Sequence, residues 1–78
     1  MLGVKNVCHY SGYLLSIELT NGKSGYFDVS PYIDKGIFVQ LKDRDYLKTV
    51  KPDTFGIFWP EGQDFSADTI EHEIRKTL

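Results

Sequence analysis

Few side chains in this sequence can do chemistry, and their spacing limits which kinds. Cys8 and His9 put a thiol beside an imidazole, the two groups that a cysteine nucleophile and its base require. Both fall in Val4 to Tyr10, a run of strand formers in which neighbours project to opposite faces, so no dyad is expected there. A metal would need Cys8, His9 and His72 gathered with Asp64, and no pair among them has a zinc-ligand spacing. Neither metal nor cofactor is expected. Asp28, Asp34 and Asp64 are the candidates for paired carboxylates in acid-base work, but each stands at a turn or cap signal, where aspartate commonly serves the backbone. No glycine-rich phosphate loop is present.

Aromatic side chains offer a different chemistry, that of contact. Tyr10, Tyr13, Tyr26, Tyr32, Tyr46 and Phe58 are more ring surface than so small a domain can bury, and tyrosine is favoured at interfaces. In "LKDRDYLKTVK", Lys42, Arg44, Lys48 and Lys51 surround Tyr46, a pattern that suits a single nucleic-acid strand. Asp43 and Asp45 interrupt it, as in an ordinary mixed-charge surface loop, so nucleic-acid binding through 42–51 is a secondary expectation.

Size and charge set the frame for these residues. The chain has 78 residues, enough for one domain over 1–78, and a domain this small buries only about 60 to 65% of its unfolded surface. Nine basic and eleven acidic residues give a net charge of -2, which disfavours a main task of gripping phosphate backbones. The single Cys8 forms no internal disulfide, and the N-terminus has neither a signal-peptide pattern nor a run of about 18 apolar residues, so a cytoplasmic, non-membrane protein is expected.

Several elements must position the candidates. Strands are expected near 4–10, 13–20, 23–29, 48–52 and 55–59, in a small, mostly antiparallel sheet of an α+β domain. Tyr13, Leu15, Ile17 and Leu19 alternate cleanly and run into the hairpin signal Asn21-Gly22. A two-residue loop would set Leu15 opposite Asp28. A three-residue loop, Thr20-Asn21-Gly22 with Gly22 left-handed, sets Leu15 opposite Phe27 and Ile17 opposite Gly25, and turns Tyr26 and Asp28 outward. The three-residue loop is expected for that reason. Helical turns are expected near 31–34, with Ser30 as cap and Pro31 at the first position, and near 43–47. Pro52 belongs at a sheet edge or strand end. Phe55, Ile57 and Trp59 alternate in the last strand. A C-terminal helix near 67–76 follows, capped by Ser66, stapled by Phe65 and Ile70, and resting on the stripe Ala67, Ile70, Ile74 and Leu78.

The stretch "WPEGQDF" joins that last strand to the helix. Pro60 ends the strand, Gly62 permits a tight reversal, and Asp64 can accept from loop amides or from the indole N–H of Trp59. The residues read first as a joint. The alternative is a small enzyme or ligand-binding protein with Trp59 and Asp64 facing a pocket.

The sequence of Asn21-Gly22, Phe27-Asp28-Val29, Gly36 with Phe38 and Leu41, and Trp59-Pro60 with Gly62, Asp64 and Phe65 resembles a small bacterial family catalogued as domain of unknown function 2442. The resemblance covers nearly the whole chain. It implies an α+β domain of about 80 residues without an established activity. It also implies relatives often encoded beside another small protein, in the manner of a toxin–antitoxin pair, and some longer relatives with a helix-turn-helix domain after this one. With the chain ending at Leu78, DNA binding through such a domain is not expected. The expected function is thus a non-catalytic interaction module with a small protein partner, a homodimer partner, or both. Its interaction surface is expected to draw on Tyr26, Asp28, Tyr46, Phe58, Trp59 and Asp64.

Overall fold

The alternating apolar residues form the expected hairpins, but the strands divide into two sheets. The structure, a computed structural model, describes residues 1–76. Strands β1 (Val4–Ser11), β2 (Leu14–Leu19) and β3 (Ser24–Asp28) form one antiparallel sheet in the order β1-β2-β3. A 3-10 helix (Gly36–Lys42) and the short helix α1 (Arg44–Leu47) cross to a second sheet. There β4 (Lys51–Pro52), β5 (Gly56–Phe58) and β6 (Asp64–Ser66) lie in that order, and the helix α2 (Ala67–Glu73) closes the fold. This is an α+β domain.

The β2–β3 register is the one that the burial of Leu15 demands. Leu15 pairs with Phe27 and Ile17 with Gly25, and Leu19 N–H donates to Lys23 O at 2.8 Å across the loop Thr20-Asn21-Gly22. Gly22 sits at φ 90°, where a side chain would be strained. A one-residue slip would carry Leu15, Ile17 and Leu19, all buried, to the outer face.

Phe65 ties the two sheets together. Its ring centroid lies 5.0 Å from Phe27 and 5.9 Å from Trp59, both edge-on. Tyr32 at 4.9 Å and Phe38 at 5.0 Å complete the cluster from the connecting segment. Edge-to-face contacts of this kind contribute about 0.5 to 1.5 kcal/mol each beyond the area they bury. Around them, Val4, Val29, Leu41, Leu47, Val50, Ile57, Ala67 and Ile70 fill the core.

The structure departs from the sequence expectations at further places, and β6 is a strand that they did not include. Residues 31–34 form consecutive hydrogen-bonded turns, Tyr32 N–H to Val29 O at 2.9 Å and Lys35 N–H to Tyr32 O at 3.0 Å, and not a helix. The side chain that organises them is Asp28, whose Oδ1 accepts from Ser30 N–H at 2.9 Å, and not Ser30. The strand expected over 48–52 is only Lys51–Pro52, because Thr49 still bonds back to Tyr46 O. Phe55 lies outside β5 and is 65% exposed: Asp53 Oδ1 accepts from both Phe55 N–H (2.8 Å) and Gly56 N–H (2.7 Å), and this turn points the ring outward.

At the C-terminus, Ser66 Oγ accepts from Thr69 N–H at 3.2 Å, the cap that the sequence announces. The helix ends at Glu73 instead of near 76. Ile74 turns extended, at ψ 137°, because Arg75 pairs with β3: Tyr26 N–H donates to Arg75 O at 2.7 Å, and Arg75 N–H to Tyr26 O at 3.0 Å. Gly25 makes the approach possible, since a Cβ there would lie 2.3 Å from Arg75 O. Leu78 of the expected apolar stripe lies outside the described residues.

Candidate functional site

The candidate residues separate into two groups, one internal and one at the surface. Trp59 and Tyr46 belong to the first. Trp59 is 1% exposed, and its indole Nε1–H donates to Leu47 O at 2.9 Å, not to Asp64. The turn after it is closed by Trp59 N–H to Gln63 O at 2.9 Å and by Gly62 N–H to Trp59 O at 3.2 Å, with Gly62 at φ 105°. Its central polar side chain is Gln63, also 1% exposed. Gln63 Nε2 donates to Ile37 O at 2.8 Å and to Gln40 Oε1 at 3.0 Å, while its Oε1 accepts from Tyr46 Oη–H at 2.6 Å. The Tyr46 hydroxyl in turn accepts from Glu61 N–H at 2.9 Å. A buried amide costs free energy unless it is paired, and here both of its ends are engaged.

Gln63 is a residue that the sequence reading passed over. Its signal was an alternation that runs back from the helix: Gln63, Phe65 and Ala67 are buried while Asp64 and Ser66 are exposed. Asp64 therefore faces water on β6, opposite Phe58 of β5, which in turn pairs with Lys51 of β4.

The surface group centres on the outer face of β1–β3. Tyr26 is half-buried there, with the Tyr10 ring 4.8 Å from its own. Tyr10 is 52% exposed and belongs to the irregular step between His9 and Ser11. Beside the rings, Asn6, Cys8, Ser16, Glu18 and Ser24 border an open hollow of about 500 Å³. Asp28 shares this face but is used in its turn. Phe58 on β5 and Phe55 in the turn before it are exposed elsewhere, so the candidates do not converge on one place.

No cluster suited to catalysis forms among the described residues. Asp34 pairs with Lys42 Nζ at 2.9 Å and Asp28 serves its turn, while Asp64 borders a hollow of only about 120 Å³ with Asp53, whose Oδ1 is taken up by the Phe55 and Gly56 amides. His9 uses Nε2–H to donate to Gly12 O at 2.9 Å, which fixes the proton on that nitrogen, and Cys8 is exposed. No group of three His, Cys, Asp or Glu side chains is placed to share a metal among the described residues. The perturbed acidities have structural causes. The Tyr32 hydroxyl donates to the Glu73 carboxylate, and this bond, with burial and the carboxylate's charge, pushes Tyr32 up to about 12. Hydrogen bonds from Asn21 and Lys23 hold Glu71 below the usual carboxylate range.

The basic segment is also partly committed. Lys42 pairs with Asp34, Asp43 caps α1 by accepting from Asp45 N–H at 3.0 Å, and the Arg44 guanidinium lies 5.3 Å above the Tyr13 ring. Tyr46 is half-buried against the core, with its hydroxyl turned to Gln63.

Two small antiparallel sheets linked by a 3-10 helix and closed by a capped helix define a compact α+β class of domain. Within that class, residues 4–76 match the family model described as protein of unknown function (DUF2442), and the chain belongs to this family. No curated protein and no solved structure matches the chain. No helix among the described residues is long and apolar enough to cross a membrane.

Proposed function

We propose that this chain is a non-catalytic protein-interaction module of the bacterial cytoplasm, one member of a pair of small proteins, and antitoxin-like in that pairing. The observation that carries the reading is the Tyr10–Tyr26 ring pair, held 4.8 Å apart on the outer face of β1–β3 with Tyr10 52% exposed. Rings of this kind supply large contact area with little rotamer freedom to lose, as interface anchors do. The small side chains beside them leave a hollow for a partner's residues. The exposed Phe55 and Phe58 offer a second, lesser contact.

A pull-down of the tagged chain at native expression level, from nuclease-treated lysate with mass spectrometry, tests this. One stoichiometric small protein is expected, lost with Tyr26→Ala or Tyr10→Ala and retained by a Glu61→Ala control. Recovery of the chain alone, or a partner indifferent to both tyrosines, would overturn the reading.

A further inference from the structure

The edges of the two sheets are not equally protected. The outer edge of β3 is occupied at Tyr26 by Arg75 through a pair of backbone hydrogen bonds. β4 has only two residues, and Pro52 offers no N–H. β1 is eight residues long and, among the described residues, is hydrogen-bonded as a strand only to β2; β4 comes near it without pairing with its outer edge. Edges are usually blunted by charge or by bulges. In β1 these devices stand at the ends, Lys5 and Tyr10 being the extra residues of two irregular steps, while Asn6, Val7, Cys8 and His9 run in regular register with β2.

We infer that this window of β1 is a homodimer edge, at which a second copy of the chain adds its own β1 in antiparallel fashion. The inference rests on the reading of the outer face of β1–β3 as the interaction surface. Three features favour a second copy. An antiparallel strand is self-complementary about a two-fold axis, so one open edge satisfies the other. Asn6 to Gly12 carries no formal charge at pH 7, so two chains of net charge -2 meet there without like charges opposed. Val7 and His9 are only half-buried, and a neighbouring strand covers them.

Geometry limits the register. Residues directly opposite in an antiparallel pair share a face, so the axis passes through Val7 or Cys8, and both choices stay inside the regular window. Either way the two Cys8 side chains come within about 5 to 8 Å on the outer face. The joined sheet then carries two Tyr10–Tyr26 pairs on one continuous face. So short a pairing buries less than the roughly 1,200 Å² of a stable complex, so the dimer is concentration-dependent and a partner spanning the joined face strengthens it.

Sedimentation equilibrium of the purified full chain, from micromolar to millimolar concentration, tests the inference together with a short bis-maleimide cross-linker. A dimer mass growing with concentration is expected, with a cross-linked dimer that Cys8→Ser abolishes. The double variant Asn6→Lys, Cys8→Lys alters exposed positions and is expected to stay monomeric with an unchanged circular dichroism melt, while Ser24→Lys on β3 still dimerises. A monomer at every concentration, or a dimer insensitive to the lysines on β1, would overturn it. If a heterologous partner is captured through Tyr26 by a monomeric chain, the dimer fails and the interaction module stands. A β1 dimer that captures nothing gives the reverse.

Discussion

The joint around Trp59 and the outer face of β1–β3 contain similar residue types and use them in opposite ways. At the joint, a tryptophan, a tyrosine and a glutamine are tied to backbone groups and to one another, and Trp59 and Gln63 are almost wholly buried. On the sheet face, two tyrosines lean on each other in partial exposure. An aromatic next to proline and glycine is thus no better sign of a binding site than a tyrosine in an ordinary strand. What separates the two regions is whether the polar atom of each ring has an internal partner. Tyr46 and Trp59 have one, so substitutions there act first on stability.

Trp59→Ala should give the largest effect. It removes a buried indole from contact with Phe65 and leaves Leu47 O without its donor, so a loss of about 3 to 5 kcal/mol is expected in urea denaturation. A loss below 1 kcal/mol, about what a surface substitution gives, would erase the contrast between the regions.

Gln63→Leu is the next test. It keeps much of the volume but strips the partners from Ile37 O and from the Tyr46 hydroxyl, and a cost of roughly 1 to 3 kcal/mol follows from leaving such groups unpaired. Tyr46→Phe should cost less in this background than in the wild type, because the bond to Gln63 is already gone and only the one from Glu61 N–H remains to lose; additive losses in a double-mutant cycle would show the two side chains to be uncoupled.

These two tests bear on what the sequence made legible. The β2–β3 register could be read because only one loop length keeps Leu15, Ile17 and Phe27 on the same face, and the cap at Ser66 because its local pattern is sufficient. The α+β class and the strands β1 to β5 followed from such local signals, whereas β6 and the division into two sheets did not. Gln63 was hidden because β6 is only three residues long and the turn before it reads as irregular. The end of α2 was hidden because Ile74 leaves the helix for a tertiary reason, the seat that Gly25 leaves for Arg75. Within the candidate site, the outward turn of Tyr26 was legible from strand parity. The internal roles of Tyr46 and Trp59 depend on partners in other elements, Gln63 and Leu47, which spacing does not reveal.

A pH experiment sharpens the comparison at a third ring. Tyr32 has its pKa raised to about 12 by the hydrogen bond to the Glu73 carboxylate, by burial and by that carboxylate's charge, against 10.0 for the free side chain. The unfolded chain therefore ionises first. The stabilising contribution of the Tyr32–Glu73 bond is full below pH 10 and is lost as the pH rises toward 12. Thermal melts across that window should show the wild type losing stability more steeply than Tyr32→Phe; parallel slopes would mean that the bond contributes nothing.

The smallest effect on stability belongs to Tyr10→Ser. The ring is half in water, its pairing with Tyr26 is a tilted contact at 4.8 Å, and the side chain has no hydrogen bond to lose among the described residues. A change of about 1 kcal/mol or less is expected in the same denaturation assay. A larger loss would place Tyr10 with Trp59 as a structural ring and remove the basis for treating the outer face as contact surface. A small one leaves a tyrosine whose exposure the fold does not require, which is the condition a partner-binding residue must meet.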